Sequence, residues 1–107
     1  MREIKIDNGT GGLEMAEIER REHGFVMMEN GEEVGKVTYM PSENGVLLLD
    51  HTFVAESMRG QHAGDRLVEQ VVELARSTGA KIDPVCPFAN ALFKRKPDEY
   101  EDVWFRG

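Results

Sequence analysis

The sequence predicts an α+β fold, in which a mostly antiparallel sheet is combined with two main helices. Two hairpin-type turns, at Asn30-Gly31 and at Asn44-Gly45, separate three β-prone runs. A strongly amphipathic segment over residues 64–79 follows them and predicts a helix. Together these observations indicate three consecutive antiparallel strands, a meander, followed by helices and one further strand.

The composition limits both the size and the class of the protein. A chain of 107 residues with 40% hydrophobic content predicts one domain with one modest core. The formal net charge of −7 argues against general nucleic-acid binding, which needs clustered Lys and Arg. Local positive charge is concentrated at Arg59 and Arg66 and over residues 94–96. The acidic residues are spread along the chain, which is typical of a soluble surface.

Compartment and assembly are inferred from what the sequence lacks. Cys86 is the only cysteine, which excludes an internal disulfide, and no apolar run approaches the length of a membrane span. The N-terminus has no hydrophobic segment of the kind found in secretory signals. We therefore expect a cytoplasmic protein without nucleic-acid or membrane partners, as a monomer or a weak homodimer. Residues 1–20 are expected to be an N-terminal extension, either an edge strand or a mobile tail, and residues 21–107 the domain.

The third β-prone run, over residues 46–54, carries apolar residues on both of its faces. Such a pattern predicts a central, buried strand. Strict alternation along the strand would give one face four members, namely Leu47, Leu49, His51 and Phe53.

The helix over residues 64–79 has an apolar stripe at helical spacing, and Gly79 is a plausible C-terminal stop. The run "AKIDPVCP" then predicts a short strand that is an edge, or is splayed from its neighbour, because proline has no N–H to donate. A second helix is predicted from Pro87, and the tail "DEYEDVWF" predicts a final strand. The residues expected on one side of this second helix are Phe88, Ala91 and Leu92.

The turn before the first helix, over residues 59–64, is a candidate phosphate site. A helix that begins near Gly64 or Asp65 directs unpaired N–H groups and a partial positive charge toward the turn. Small residues let a phosphate approach those groups, and Arg59 would add a charged contact. The alternative is a plain structural turn. A nucleotide-hydrolysing loop is disfavoured because the Gly-Lys-Ser/Thr sequence of such loops is missing.

Cys86 and His51 are candidates for chemistry. Cys86 lies between two prolines, where a strand ends and a helix begins, and helix N-termini favour the reactive thiolate. The alternative is a buried, inert cysteine. His51, in mid-strand, is either packed without a chemical role or a base that assists the cysteine. The histidines and Asp50 show no zinc-type spacing, so no metal is expected.

Five segments in this order resemble the GNAT superfamily of acetyl-coenzyme A-dependent N-acetyltransferases: "VLLLDHTFV", "RGQHAG", "DRLVEQVVELA", "KIDPVCPF" and "NALFKRKPDEY". The likeness covers roughly residues 20 to 104 and is closest to the small, single-domain Yjdj-type subfamily. The motifs that carry it are His51-Thr52 on the fourth strand, Arg59-Gly60 in the loop, and Cys86-Pro87-Phe88 opening the last helix.

The resemblance implies a central pair of parallel strands that splay apart and accept the pantetheine arm of acetyl-coenzyme A. It also implies that Cys86 lies near the thioester, with His51 across the slot. The implied cosubstrate contacts are the backbone of Phe53 and Val54, a pyrophosphate loop of Arg59, Gly60, Gln61, His62, Ala63 and Gly64, and Asn90 on the last helix.

The implied activity is acetyl transfer to an unknown amine, either directly or through an acyl-Cys86 intermediate. One alternative is a module that holds acetyl-coenzyme A or another acyl-coenzyme A without turnover, and another is an interaction protein that keeps only the fold. Two departures from the family pattern bear on this choice. His62 stands where the loop usually has its first glycine, and Leu92 and Phe93 stand where many members have a tyrosine acid. Tyr100 lies further along, so the cysteine route gains weight.

Overall fold

The computed structural model describes residues 16–58, 60 and 62–105, and the predicted α+β fold is confirmed. One five-stranded sheet has the order β1-β2-β3-β4-β5; the first four strands are antiparallel neighbours, and β5 is parallel to β4. The strands are β1 Ala16–Arg21, β2 Gly24–Glu29, β3 Glu32–Pro41, β4 Val46–Val54 and β5 Lys81–Asp83. The helices are α1 Ala63–Thr78, α2 Pro87–Arg95 and α3 Pro97–Tyr100, and a 3₁₀ turn covers Glu56–Met58.

Both predicted hairpin turns are confirmed. Asn30 and Gly31 have φ angles of 53° and 80°, so both central residues of the β2–β3 turn are left-handed, as a type I′ turn requires. At the β3–β4 turn the Ser42 N–H donates to the Val46 carbonyl at 2.9 Å, and Gly45 has a φ of 74°. The meander has four strands rather than three, because the segment Ala16–Arg21 pairs with β2 as an edge strand. Residues 1–15 of the expected extension lie outside the described residues.

A β-bulge interrupts the alternation of β4. Thr38 is the partner of His51 while the next residue, Tyr39, is the partner of Leu49, so Asp50 is left unpaired. The prediction that Leu47, Leu49, His51 and Phe53 share one face is therefore wrong. Leu47 and Leu49 lie in the core, whereas His51 and Phe53 are exposed. The predicted central position of β4 is confirmed, since it lies between β3 and β5.

Helix α1 supplies most of the helical core, as its apolar stripe predicts. It begins at Ala63 and ends at Thr78, and its C-cap Gly79 adopts a φ of 77° and donates its N–H to the Ala75 carbonyl. Each fully buried Val or Leu on this stripe contributes roughly 1.5–3 kcal/mol relative to exposure. The buried side chains are Ala63, Leu67, Val68, Val71, Val72 and Ala75. No helix in the described part of the chain is long and apolar enough to cross a membrane.

The C-terminal region corrects two predictions. Helix α2 begins at Pro87 as expected, and Leu92 of the predicted apolar side is buried, but Phe88 and Ala91 are exposed, and Ala89 and Phe93 are buried in their place. This orientation lets Phe93 stack on Tyr100, with ring centroids 4.5 Å apart. The tail is a short helix, α3, rather than a strand, because Pro97 at its start favours a helical turn. Its only strand-like contact in the described residues is one bridge between Trp104 and Ile82.

Candidate functional site

The parallel strands β4 and β5 separate after three paired positions. Their register ends at the pair Leu48 and Asp83. Pro84 follows, and it has no N–H with which to continue the ladder. The Cys86 N–H makes one more bond, to the Leu49 carbonyl at 2.9 Å, and the chain then turns into α2. Since β4 continues to Val54, the two strands diverge, and the predicted splayed pair is confirmed.

Cys86 lies where the strands diverge. It is the N-cap of α2, and its Sγ accepts a hydrogen bond from the Ala89 N–H at 3.4 Å. On the β4 side, Sγ lies 3.3 Å from the hydroxyl oxygen of Thr52. The residue is only 4% exposed. The sulfur is therefore held between the first turn of α2 and the strand, within reach of two hydrogen-bonding groups.

A cleft of about 370 Å³ lies between β4, the N-terminus of α1 and the start of α2. Thr52 lines this cleft and also contacts Cys86, so it connects the cleft to the sulfur. A volume of this size is typical of small-molecule sites. The other lining residues are Val54, Met58, Gly60, His62, Ala63, Gly64, Asp65 and Phe88.

The N-terminus of α1 faces the cleft without a capping side chain among the described residues. His62, at the N-cap, is left-handed with a φ of 61°, which explains why a glycine suits this position in the family pattern. A Cβ at Gly64 would lie 2.6 Å from Cζ of Phe88, so the missing side chain lets the ring approach the helix closely. Uncapped N–H groups and the helix dipole fit an anionic group such as a phosphate here.

Charged side chains surround this end of the cleft. One carboxylate oxygen of Asp65, Oδ2, lies 3.7 Å from Nδ1 of His62 and 3.7 Å from Nη2 of Arg95. Arg95 belongs to the basic stretch over residues 94–96 that the sequence marked as a local positive site. The His62 side chain is 81% exposed. At the mouth of the cleft, the Asp65 carboxylate thus lies between the His62 imidazole and the Arg95 guanidinium.

The structure brings together part of the expected cosubstrate site. Five of its residues line the cleft, namely Val54, Gly60, His62, Ala63 and Gly64. Phe53 has a 45% exposed side chain and faces Lys36 across the strand pair. Asn90 donates from Nδ2 to the Pro84 carbonyl at 3.4 Å and so braces the turn between β5 and α2. Arg59 and Gln61 lie outside the described residues.

The structure does not bring His51 together with Cys86. His51 is exposed and pairs with Thr38, on the face of the sheet opposite the core. Thr52 occupies the place beside the sulfur instead. Sequence reasoning noted Thr52 as a motif residue but gave it no role, because the bulge at Asp50 that turns it inward leaves no mark in the pattern. Met58 and Asp65 line the cleft without a predicted site role, and Phe88, a motif residue, had no predicted role in the cleft either.

Tyr100 lies away from the cleft. Its hydroxyl donates to Oε2 of Glu69 on α1 at 2.5 Å, and the residue is 1% exposed. Burial, followed by the hydrogen bond to Glu69, raises the pKa of Tyr100 well above its usual value. A phenol that is held in this way is not available as an acid for the cleft.

Comparison with known proteins assigns the family. The family model described as GCN5-related N-acetyl-transferase matches residues 24–103. Among solved structures, a GCN5-like protein of Staphylococcus aureus, assigned as an N-acetyltransferase, is 31% identical with a TM-score of 0.71, and the match covers 90% of this chain and 91% of that one. No curated protein matches the chain significantly.

More distant structures share the fold within longer chains. A protein of Bacillus anthracis assigned as a streptothricin acetyltransferase, solved in complex with acetyl coenzyme A, is 16% identical with a TM-score of 0.53. A GNAT-family protein of Desulfovibrio desulfuricans is 21% identical with a TM-score of 0.57. The matches cover 71% and 68% of this chain but only 47% and 52% of theirs, so this chain spans about half their length. The family match and the Staphylococcus aureus structure together show that the chain belongs to the GCN5-related N-acetyltransferase family.

Proposed function

We propose that the protein is an acetyl-coenzyme A-dependent N-acetyltransferase of the small, single-domain Yjdj type, with Cys86 as the acyl-accepting residue. The observation that carries the proposal is a cleft that runs from the uncapped N-terminus of α1 to Thr52, whose hydroxyl contacts the buried sulfur of Cys86. The complex of the Bacillus anthracis protein with acetyl coenzyme A supports the same use of a shared fold.

The polar end of the cleft suits the pyrophosphate. N–H groups of the first turn of α1 would donate to it. Sequence position assigns Arg59, Gly60 and Gln61 to the same loop. The β4 backbone at Phe53 and Val54 would pair with the pantetheine arm, because β5 has ended by that point and leaves this edge of β4 without a strand partner in the described residues. Asn90 would act indirectly, by holding the turn that precedes α2.

Cys86 would then transfer the acetyl group in two steps, acylation of its sulfur and release of the acetyl group to the amine. In the first, the Cys86 thiol loses its proton to water, its thiolate attacks the thioester carbon, the bond to the coenzyme sulfur breaks, and coenzyme A leaves as a thiol after taking that proton back from water. In the second, an amine attacks the acyl-Cys86, the Cys86 sulfur leaves, and the amine loses a proton. His51 lies on the opposite face of the sheet and is not placed to accept that proton, so the proton passes to water in the open cleft. The location of Tyr100 supports the cysteine route, because direct attack has no tyrosine acid in this cleft.

A second candidate function is binding of acyl-coenzyme A without turnover. The 4% exposure of Cys86 favours it, since an attacking sulfur must reach the substrate. The absence of a contact between His51 and Cys86 in the described residues also favours it, because the cysteine then has no adjacent base.

Calorimetric titration with acetyl-coenzyme A, followed by intact-mass measurement, separates these functions. The proposed enzyme binds and gains the mass of one acetyl group, and the Cys86→Ala variant binds but gains none. Binding without any mass gain in the wild type, together with no acetyl transfer to a panel of amines, would indicate the non-catalytic module. If acetyl-coenzyme A does not bind, both candidates fail.

A further inference from the structure

The partner of the Cys86 sulfur is set by the irregularity in β4. Leu49 faces the core, and regular alternation would turn residue 51 inward next. Because Asp50 is skipped in the pairing, Thr52 turns inward instead, opposite the fully buried Val37. Thr52 is half-buried there and lines the cleft together with Val54 and Met58. Among the described residues the one hydrogen-bond partner of the Thr52 hydroxyl is Sγ of Cys86, at 3.3 Å.

From this geometry we propose that Thr52 is a positioning residue for Cys86, and that its hydroxyl donates to the sulfur when the sulfur is a thiolate. The use of this contact in acyl transfer rests on the proposed function, but the contact itself does not. Within the described residues two groups bond to Sγ, the Thr52 hydroxyl and the Ala89 N–H. Hydroxyls are stronger donors than thiols, and bonds to a charged acceptor are roughly twice as strong as neutral ones.

The hydrogen bond from Thr52 would stabilise some states of Cys86 along the reaction more than others. A thiolate accepts strongly from both donors, whereas the sulfur of a thioester is a weak acceptor. Thr52 would therefore stabilise Cys86 both as the nucleophile that attacks and as the leaving group that departs from the acyl-enzyme. It would do little for the acyl-enzyme in between. The hydroxyl would thus favour turnover over accumulation of the intermediate.

Alkylation of Cys86 tests the proposal without acetyl-coenzyme A. Cys86 is the only cysteine, so iodoacetamide adds one group that intact mass can follow. We expect Thr52→Val, which keeps the shape and removes the hydroxyl, to alkylate about tenfold more slowly near neutral pH, the effect of one charge-assisted hydrogen bond. The difference should vanish in strong alkali, where the thiol is ionised in every variant.

Two further variants make the result specific. Thr52→Ser should alkylate within about threefold of the wild type, because it restores the donor. Thr38→Val removes a matched hydroxyl, bonded to Asp50 on the other face, and should alkylate as the wild type does. The proposal is overturned if Thr52→Val matches the wild type at every pH, if Thr52→Ser is as slow as Thr52→Val, or if the deficit of Thr52→Val persists unchanged in alkali, which indicates lost packing. Urea unfolding must show that all variants are folded.

This readout is independent of the acyltransferase proposal. A pH-dependent deficit in Thr52→Val, with no acetyl transfer by the wild type, would retain the positioning role and reject the proposed function. Acetylation of Cys86 with equal alkylation rates in all variants would do the reverse.

Discussion

Strand β5 pairs along its whole length with β4 on one side and bonds to residues 103–105 on the other. The side toward residues 99–105, called the fastened side, carries further hydrogen bonds and ring contacts, whereas on the side toward β4, the open side, the chain leaves the strand after Asp83. On the C-terminal side, its Ile82 N–H donates to the Val103 carbonyl at 2.6 Å, and the Ile82 carbonyl accepts from Phe105 at 2.7 Å. On the β4 side, pairing stops at Asp83 and the cleft begins. The regular pairing with β4 therefore ends between residues 83 and 84.

The fastened side of β5 is held by side-chain hydrogen bonds and aromatic contacts in addition to the backbone hydrogen bonds of the strand. Arg76 donates from Nε to Asp102 at 2.9 Å and from Nη2 to the Glu99 carbonyl, and Lys81 donates to the Asp102 carbonyl at 2.6 Å. Phe93 stacks on Tyr100 and meets Trp104 edge-on, with ring centroids 5.5 Å apart. The open side instead leaves side chains such as Phe88 exposed. The hydrogen bonds and ring contacts that fix β5 thus lie on the side facing away from the cleft, and we expect them to fix the point at which the chain leaves β4.

Removal of a ring from the fastened side should have the largest effect. Phe93→Ala deletes a fully buried side chain between two other rings, and we expect the free energy of unfolding to fall by about 3–5 kcal/mol. Urea unfolding measures it. Met40→Ala is the control, because a side chain that is 51% exposed should change stability by about 0.5 kcal/mol or less. Equal losses in the two variants would show that the ring cluster is not the anchor.

Acid should loosen the fastened side next. The hydrogen bond from Arg76 lowers the pKa of Asp102, so the carboxylate stabilises the fold above the pKa of an unfolded Asp, about 3.9, and this contribution is lost as pH falls through the lower folded value. Asp102→Asn should therefore be less stable than the wild type at pH 7, with the gap closing below about pH 4. Urea midpoints over this range measure the gap. Glu19→Gln, which removes another surface pair, controls for general charge effects. A constant gap across pH would contradict the role of the Asp102 charge.

Only part of the structure on the fastened side could be predicted from the sequence. The stripe of α1 and the hairpin turns follow from local rules, and the structure confirms them. The sequence predicts a final strand in the tail, where the structure has α3 followed by a turn. Long-range contacts decide otherwise, since Arg76 and Tyr100 find partners more than 20 residues away, at Asp102 and Glu69. Periodicity carries no information on such contacts.

On the open side, the sequence predicts the local features but not the partner of Cys86. Pro84 and Pro87 are local signals, and they predict that the strand leaves its neighbour and that a helix begins after Cys86, as the structure confirms. The partner of Cys86 was not predictable, because it depends on which face each residue of β4 takes. The bulge at Asp50 changes that assignment from His51 to Thr52 without any glycine or proline to signal it.

The smallest effect is expected at the mouth of the cleft, with His62→Gly. His62 has a left-handed backbone, which disfavours a Cβ by about 1–2 kcal/mol, while glycine adds entropy to the unfolded chain. We expect a net gain of about 0.5 kcal/mol in unfolding free energy. Because the side chain is 81% exposed, acetyl-coenzyme A affinity should change by about threefold or less. A tenfold loss by calorimetry would show that the imidazole contacts phosphate, and a tenfold gain that its Cβ obstructs it. Asn30→Gly, another left-handed site but on a distant hairpin, controls for the backbone effect and should leave affinity unchanged.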